Sequence, residues 1–131
     1  MLKIIRQRVV FPEKARRLYD MYMNPRIHGD ITGGPVIISS KPGSRFSAFD
    51  GSVTGRTLQV VPGRLIVQSW RSDNFKPDDI DSTLILNFLP DPKGGRIDLI
   101  HVNVAEQDHD GVVEGWKEFY WKPWKEYLKK S

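Results

Sequence analysis

The sequence predicts an α+β fold in which a curved, seven-stranded antiparallel sheet wraps around a long C-terminal helix, and three observations predict it. Between Val36 and Val104, Pro-Gly, Asp-Gly and Gly-Gly pairs punctuate short apolar runs, the signature of antiparallel strands joined by tight turns. One strand and two short amphipathic segments stand before this region. A single amphipathic stretch from about Asp108 to Lys130 stands after it.

The opening strand takes residues 3–10 and stops at Phe11-Pro12. Pro12 suits the first turn of a helix, Glu13 favours the positive helix end, and Ala15, Leu18, Tyr19 and Tyr22 fall at i, i+3, i+4 and i+7. An amphipathic helix to about Met23 follows. Asn24-Pro25 then restarts the helix, Asn24 as cap and Pro25 as first residue, through Ile27 to about Ile31. Thr32-Gly33-Gly34-Pro35 breaks it.

Turns at Lys41-Pro42-Gly43-Ser44, Asp50-Gly51, Val61-Pro62-Gly63-Arg64 and Asp91-Pro92-Lys93-Gly94-Gly95 bound strands near 36–40, 45–49, 53–61, 64–71, 81–89 and 96–104. In Arg96-Ile97-Asp98-Leu99-Ile100-His101 the period of two puts Ile97, Leu99 and His101 on one inner face, and Leu84, Leu86 and Phe88 likewise share one face. Residues 72–80 form the longest connection within the sheet and read as a polar surface loop, in which the pair Asp78-Asp79 is solvated. At about 100° per residue the last helix gathers Val112, Val113, Trp116, Phe119, Tyr120, Pro123 and Tyr127 in one stripe, with Trp121, Trp124 and Leu128 beside it. That arc is wider than one sheet covers, so a second surface is expected over Trp121, Trp124 and Leu128. Pro123 cannot donate to the carbonyl of Phe119, which predicts a kink at residues 119–123.

Composition bounds what such a fold does. With 131 residues, 27% charged and 39% hydrophobic, the chain reads as one domain, 1–131, large enough for a core of its own. It has no cysteine, which excludes disulfides, thiolate metal sites and a thiol nucleophile. The N-terminus lacks the apolar block of a secretion signal, and no apolar run approaches the ~20 residues of a bilayer span. A cytoplasmic protein without membrane insertion is the expectation. Net charge is +4, and residues 1–17 hold six cations (Lys3, Arg6, Arg8, Lys14, Arg16, Arg17) against Glu13, a local +5. Such an end suits an acidic partner. No nucleic-acid module accompanies it, so it reads first as a solvated face whose counter-charges come from elsewhere in the fold.

Several strings then carry a family resemblance. They are Asn24-Pro25-Arg26 with Thr32-Gly33-Gly34-Pro35, the Pro42-Gly43 and Phe46 hairpin, Gly51-Ser52-Val53-Thr54-Gly55, the run from Pro62 to Arg71, and Gly115-Trp116-Lys117-Glu118-Phe119-Tyr120-Trp121. In their order and spacing they resemble the START-like (SRPBCC, birch-pollen-allergen-like) superfamily, in its subgroup of activator of heat-shock-protein-90 ATPase homologues. The resemblance spans essentially the whole chain and implies the helix-grip fold. It also implies an apolar cavity between sheet and helix, lined by Trp116, Phe119 and Tyr120 from the helix and by Phe46, Trp70, Leu84, Leu86, Leu99 and His101 from the sheet. In chaperone activators a domain of this kind forms the C-terminal part of a longer protein. Other members with this fold are polyketide cyclases.

His101, pointing into apolar space, should stay neutral and serve either a ligand carbonyl or a neighbouring core group. His28 and His109 have no helical i, i+4 partner, so no metal site is expected, and neither a cofactor nor a catalytic acid–base pair is legible. Three functions stay open: binding of a hydrophobic small molecule, a protein-interaction module (a chaperone partner, or a homodimer through Trp121, Trp124 and Leu128), and a cyclase-like enzyme.

Overall fold

In the computed structural model residues 1–130 are described, and they form six strands in one antiparallel sheet. In chain order these are β1 (Lys3–Phe11), α1 (Ala15–Met23), α2 (Pro25–Thr32), β2 (Arg45–Ala48), β3 (Val53–Val61), β4 (Leu65–Ser72), β5 (Ser82–Asp91) and β6 (Gly94–Val104). A 3₁₀ turn (Glu106–Asp108) then leads into a continuous helical segment: α3 (His109–Trp116), a π turn (Lys117–Trp121) and α4 (Lys122–Lys130). The spatial order is β1-β6-β5-β4-β3-β2, a meander with the first strand returned to the far edge.

The local chemistry explains most boundaries. Asn24 Oδ1 accepts from the amides of Arg26 at 2.9 Å and Ile27 at 3.0 Å, satisfying two orphan donors of α2, and Pro25 occupies the first position, where no donor is needed. Gly33 ends α2 at φ +86°, a left-handed cap that costs glycine little. Pro12 is not part of α1: it lies in a bend, and the helix starts two residues beyond Glu13. The reason is packing, since Gly94 and Gly95 press against the backbone of residues 11–15 and hold that segment in a turn.

The seventh strand, residues 36–40, does not form. Only an isolated bridge joins Ile37 to Ser47. Ser39 O, which a strand neighbour would engage, instead accepts the hydroxyls of Thr57 at 2.9 Å and Ser44 at 3.2 Å.

The expected alternation holds where it was legible. Ile97, Leu99 and His101 of β6 and Leu84, Leu86 and Phe88 of β5 are buried on the concave face. Leu18, Met21 and Tyr22 of α1 and Trp116, Trp121 and Trp124 of the C-terminal segment close over that face in one continuous core.

The kink at Pro123 takes the form of the π turn. The Lys122 amide bonds to Lys117 O, five residues back, so one extra residue is absorbed just before the proline. This rotates everything beyond Trp121 by about one helical position relative to a straight helix. Phe119 is turned outward, 57% exposed, while Trp121 and Trp124 are buried at 6% and 1%. The exposed patch expected at Trp121, Trp124 and Leu128 is therefore absent: the two indoles are core, stacked 6.3 Å apart against Phe11, and Leu128 packs against the same core half-buried.

Candidate functional site

Where the grip is loosest a cleft of about 320 Å³ opens between the β2–β3 turn, the end of β4 and the start of α3. Its walls are aromatic: Trp70 from the sheet, Trp116, Phe119 and Tyr120 from the helical segment, and Phe49 from the turn. On the helix side Gly111 and Gly115, one turn apart, leave the backbone bare. A Cβ on Gly115 would meet only the Phe119 ring, at 3.7 Å, so nothing in the packing demands glycine there. Mid-helix glycine costs roughly 0.5–1 kcal/mol relative to alanine, and here it keeps the cleft open.

Phe49 reaches the cleft by a strained route. It and Asp50 occupy the centre of the β2–β3 turn with φ of 53° and 54°, the left-handed pair of a type I′ turn closed by Gly51 N to Ala48 O at 3.2 Å. A bulky residue there is uncommon, and the conformation costs on the order of 1–2 kcal/mol. The geometry aims the ring edge-on at Tyr120 (5.7 Å) and Phe119 (5.9 Å). The Asp50-Gly51 signal places this turn one residue too late, so nothing in the sequence marks Phe49 as a wall residue.

The polar end of the cleft is fastened. Asp108 Oδ2 accepts from Ser72 Oγ at 2.6 Å and Oδ1 from Asn74 Nδ2 at 3.2 Å, tying the loop after β4 to the helix start. Arg71 braces the same loop, donating to Lys76 O, Asp79 O and Asp81 Oδ1 at 2.6, 2.9 and 2.7 Å. Asp79, though solvent-exposed, accepts from the Lys76 amide and from Gln107 Nε2, which hold its carboxyl below the ordinary range. The loop is thus a rigid rim with Phe75 buried beneath it.

Behind the aromatic wall run two buried histidine networks. Trp116 Nε1 donates to His101 Nδ1 at 3.2 Å, so that nitrogen carries no proton. The proton therefore sits on Nε2, which donates to Ser82 Oγ at 2.8 Å, and that hydroxyl donates on to Trp70 O at 2.6 Å. Burial pushes the imidazole down to about 3. His28 is the mirror case: Nδ1 donates to Tyr22 O and Nε2 accepts from the Tyr120 hydroxyl, both at 2.8 Å, and burial lowers it to about 4. Burial likewise raises the phenols of Tyr22 and Tyr120 above their ordinary range. These side chains clamp Trp70, Trp116 and Tyr120 in place, and both nitrogens of each ring are already engaged.

Of the residues expected to line a cavity, Trp70, Trp116, Phe119 and Tyr120 meet in the cleft. Phe46, Leu84, Leu86, Leu99 and His101 lie beneath it, filled core with no free surface. Phe49, Val53, Ser72, Asn74, Asp108, Gly111, Val112 and Gly115 complete the lining. Periodicity finds an apolar face, but it does not find glycines or the polar rim. Among the described residues no three His, Asp or Glu side chains converge as metal ligands. Among them, too, no helix is long and apolar enough to cross a membrane.

Comparison with known proteins matches residues 13–129 to the model of the family described as Activator of Hsp90 ATPase homolog 1-like protein. A mouse relative, activator of 90 kDa heat shock protein ATPase homolog 2, is 28% identical over 83 residues, 63% of this chain and 25% of its own length. The chain spans about a quarter to a third of the length of the curated relatives it matches. Among solved structures, a Mesorhizobium loti protein superposes with a TM-score of 0.84 at 17% identity, covering 98% of each chain. An HSP90 activator from Plasmodium falciparum does so at 0.83 and 18%, covering 98% of this chain and 96% of its own. Both share the helix-grip architecture.

Proposed function

The chain belongs to the Activator of Hsp90 ATPase homolog 1-like family, and from that premise we propose that it binds a small, flat, mainly apolar molecule in the aromatic cleft without transforming it. The observation that carries this is the pairing of a rigid aromatic wall with a glycine-bared helix. Trp116 and Tyr120 are locked by hydrogen bonds, Trp70 packs edge-on against the His101 ring at 4.7 Å, and Gly111 and Gly115 leave a slot against the backbone. Pre-formed, mostly apolar concavities with a few fixed polar groups are how small-molecule sites are built. A ring system seated over Gly115 would lie against Phe49 and Phe119, with Trp116 beneath it and Ser72 and Asn74 at its polar end. His101 serves this by fixing Trp116 and Trp70, not by moving protons.

Native mass spectrometry of the protein from its own host tests the reading, together with thermal shifts against aromatic and lipid metabolites. A co-purifying mass or a ligand-induced rise in Tm is expected. Gly115→Leu, whose side chain would fill the slot, should abolish both while leaving the unliganded protein folded. No retained mass and no shift from any ligand would sink the proposal.

A second reading is favoured by family membership itself, since relatives are named for activating a chaperone ATPase. On it, this domain contacts an Hsp90-type chaperone. Its measure is the chaperone's ATP turnover with and without the protein, and an unchanged rate at saturating protein removes it.

A further inference from the structure

We propose that the free edge of β1, with the groove between it and the C-terminal helix, is a docking site for an extended acidic segment of a partner protein, which adds to the sheet as a seventh strand. Three observations independent of the aromatic cleft lead there.

The first is the edge. β1 is the outermost strand beside β6, nine residues long, and none of its backbone groups bonds to any described residue on its other side. Such a row of unpaired amides and carbonyls is a template for strand addition. Ile4, 56% exposed, adds an apolar contact point on the outer face.

The second is the space. A groove of about 1040 Å³ runs along residues 4–10, walled on its other side by helical residues recurring every four positions: His109, Val113, Lys117, Trp121, Lys125 and Lys129. Its floor is fixed, because Gln7 donates to Val113 O at 3.2 Å and accepts from Trp121 Nε1 at 2.6 Å. An added strand needs about 4.8 Å beside β1.

The third is charge. The lining holds six Lys and Arg against two Glu; Arg8, Lys117, Lys122 and Lys129 pair with Asp98, Glu114, Glu118 and Glu126, which leaves two cations over. Arg6 makes no ion pair among the described residues, and Lys125 lies over the Phe11 ring with no carboxylate on it. Side chains of an added strand would point alternately to the helix and to the outer sheet face. Acidic residues would therefore meet Lys125 on one side and Arg6 on the other. The same charges argue against a second copy of this chain, whose β1 would bring Lys3, Arg6 and Arg8 against their like.

The test is fluorescence polarisation with a dye-labelled nine-residue peptide alternating Glu and Val. Three probes run beside it: the same peptide N-methylated at alternate amides, a Lys/Val counterpart, and a single-stranded oligouridylate. The Glu/Val peptide is expected to bind and to weaken steeply with salt. Affinity should drop at least tenfold on N-methylation and at least tenfold in the Arg6→Glu/Lys125→Glu variant, whose thermal unfolding confirms that it folds. Hydrogen exchange should slow at those β1 amides that face away from β6. Absence of binding overturns the proposal, and so does equal binding of the N-methylated peptide, which would mean charge attraction without strand pairing. Equal or tighter binding of the Lys peptide or the RNA overturns it as well. So does self-association of the double variant without any peptide affinity, since the cations would then serve only to keep sheet edges apart.

Discussion

At the scale of single residues the clearest consequence concerns the two buried histidines. Both are neutral in the folded protein, His101 at about 3 and His28 at about 4, against 6.5 in an unfolded chain. Between those values the unfolded state binds more protons than the native one, so stability is fully present above about pH 6.5 and is lost as pH falls toward 4. Each histidine contributes a slope approaching about 1.4 kcal/mol per pH unit in that window. Urea midpoints measured from pH 7 to 4 should fall accordingly, and His101→Gln should remove about half of the slope. An unaltered slope would mean that the imidazole is not held neutral by burial. The sequence made His101 legible as an inner-face residue through the period of two in β6. It could not disclose Trp116 and Ser82 as partners, because they come from a helix and a strand whose registry depends on the whole sheet. His28 was less legible still: a short helix gives too few turns for periodicity to assign a face.

Elements were readable wherever one residue type forces one geometry. Asn24-Pro25 fixed the start of α2, and Gly43 and Gly63, at φ of 86° and 76°, fixed two turns that the Pro-Gly pairs announced. The C-terminal segment was readable as helical but not in its phase, since a wheel drawn at 100° per residue has no place for the residue absorbed by the π turn. That one residue turns Trp124 from the flank of the stripe into the core, where it stacks on Trp121. Deleting Phe119, an exposed residue of that turn, should restore an ordinary α-helix and keep Trp116 and Trp124 on one face. The deletion variant is expected to fold with its tryptophan emission still blue-shifted, at a cost of about 1–2 kcal/mol by analogy with surface and partly buried changes. It should also lose whatever the cleft binds. Red-shifted emission would show that the turn is held by something other than its extra residue.

For the molecule as a whole, the sheet order puts residues far apart in the chain side by side. β1 pairs with β6 across about ninety residues, Val9 opposite Ile97 and Phe11 opposite Gly95, while the other pairings are hairpins or near neighbours. Closing that last pairing requires the helices and the meander to be in place, so refolding is expected on the millisecond-to-second scale typical of non-local topologies. Stopped-flow fluorescence measures it, and microsecond refolding would contradict the argument. Part of the basic N-terminal end is met by carboxylates from distant parts of the chain, and among the described residues Arg6 is not. Met1 and Lys3 face Glu106, and Arg8 faces Asp98. These exposed pairs are screened by solvent and steer more than they stabilise. The sequence could not reveal that this end is also a sheet edge, because edge or centre is a property of the finished order of strands.

The burial of the indoles has an optical side. Trp116 and Trp121 stack at 5.5 Å with planes 22° apart, Trp121 and Trp124 at 6.3 Å and 27°, so three of the four tryptophans form one short column. At such separations their excited states couple, and the column should report as a unit, with a split signal in near-ultraviolet circular dichroism. Only its first member borders the cleft. A molecule settling against Trp116 therefore touches one end of a coupled chromophore, and the protein carries its own gauge of occupancy without any label.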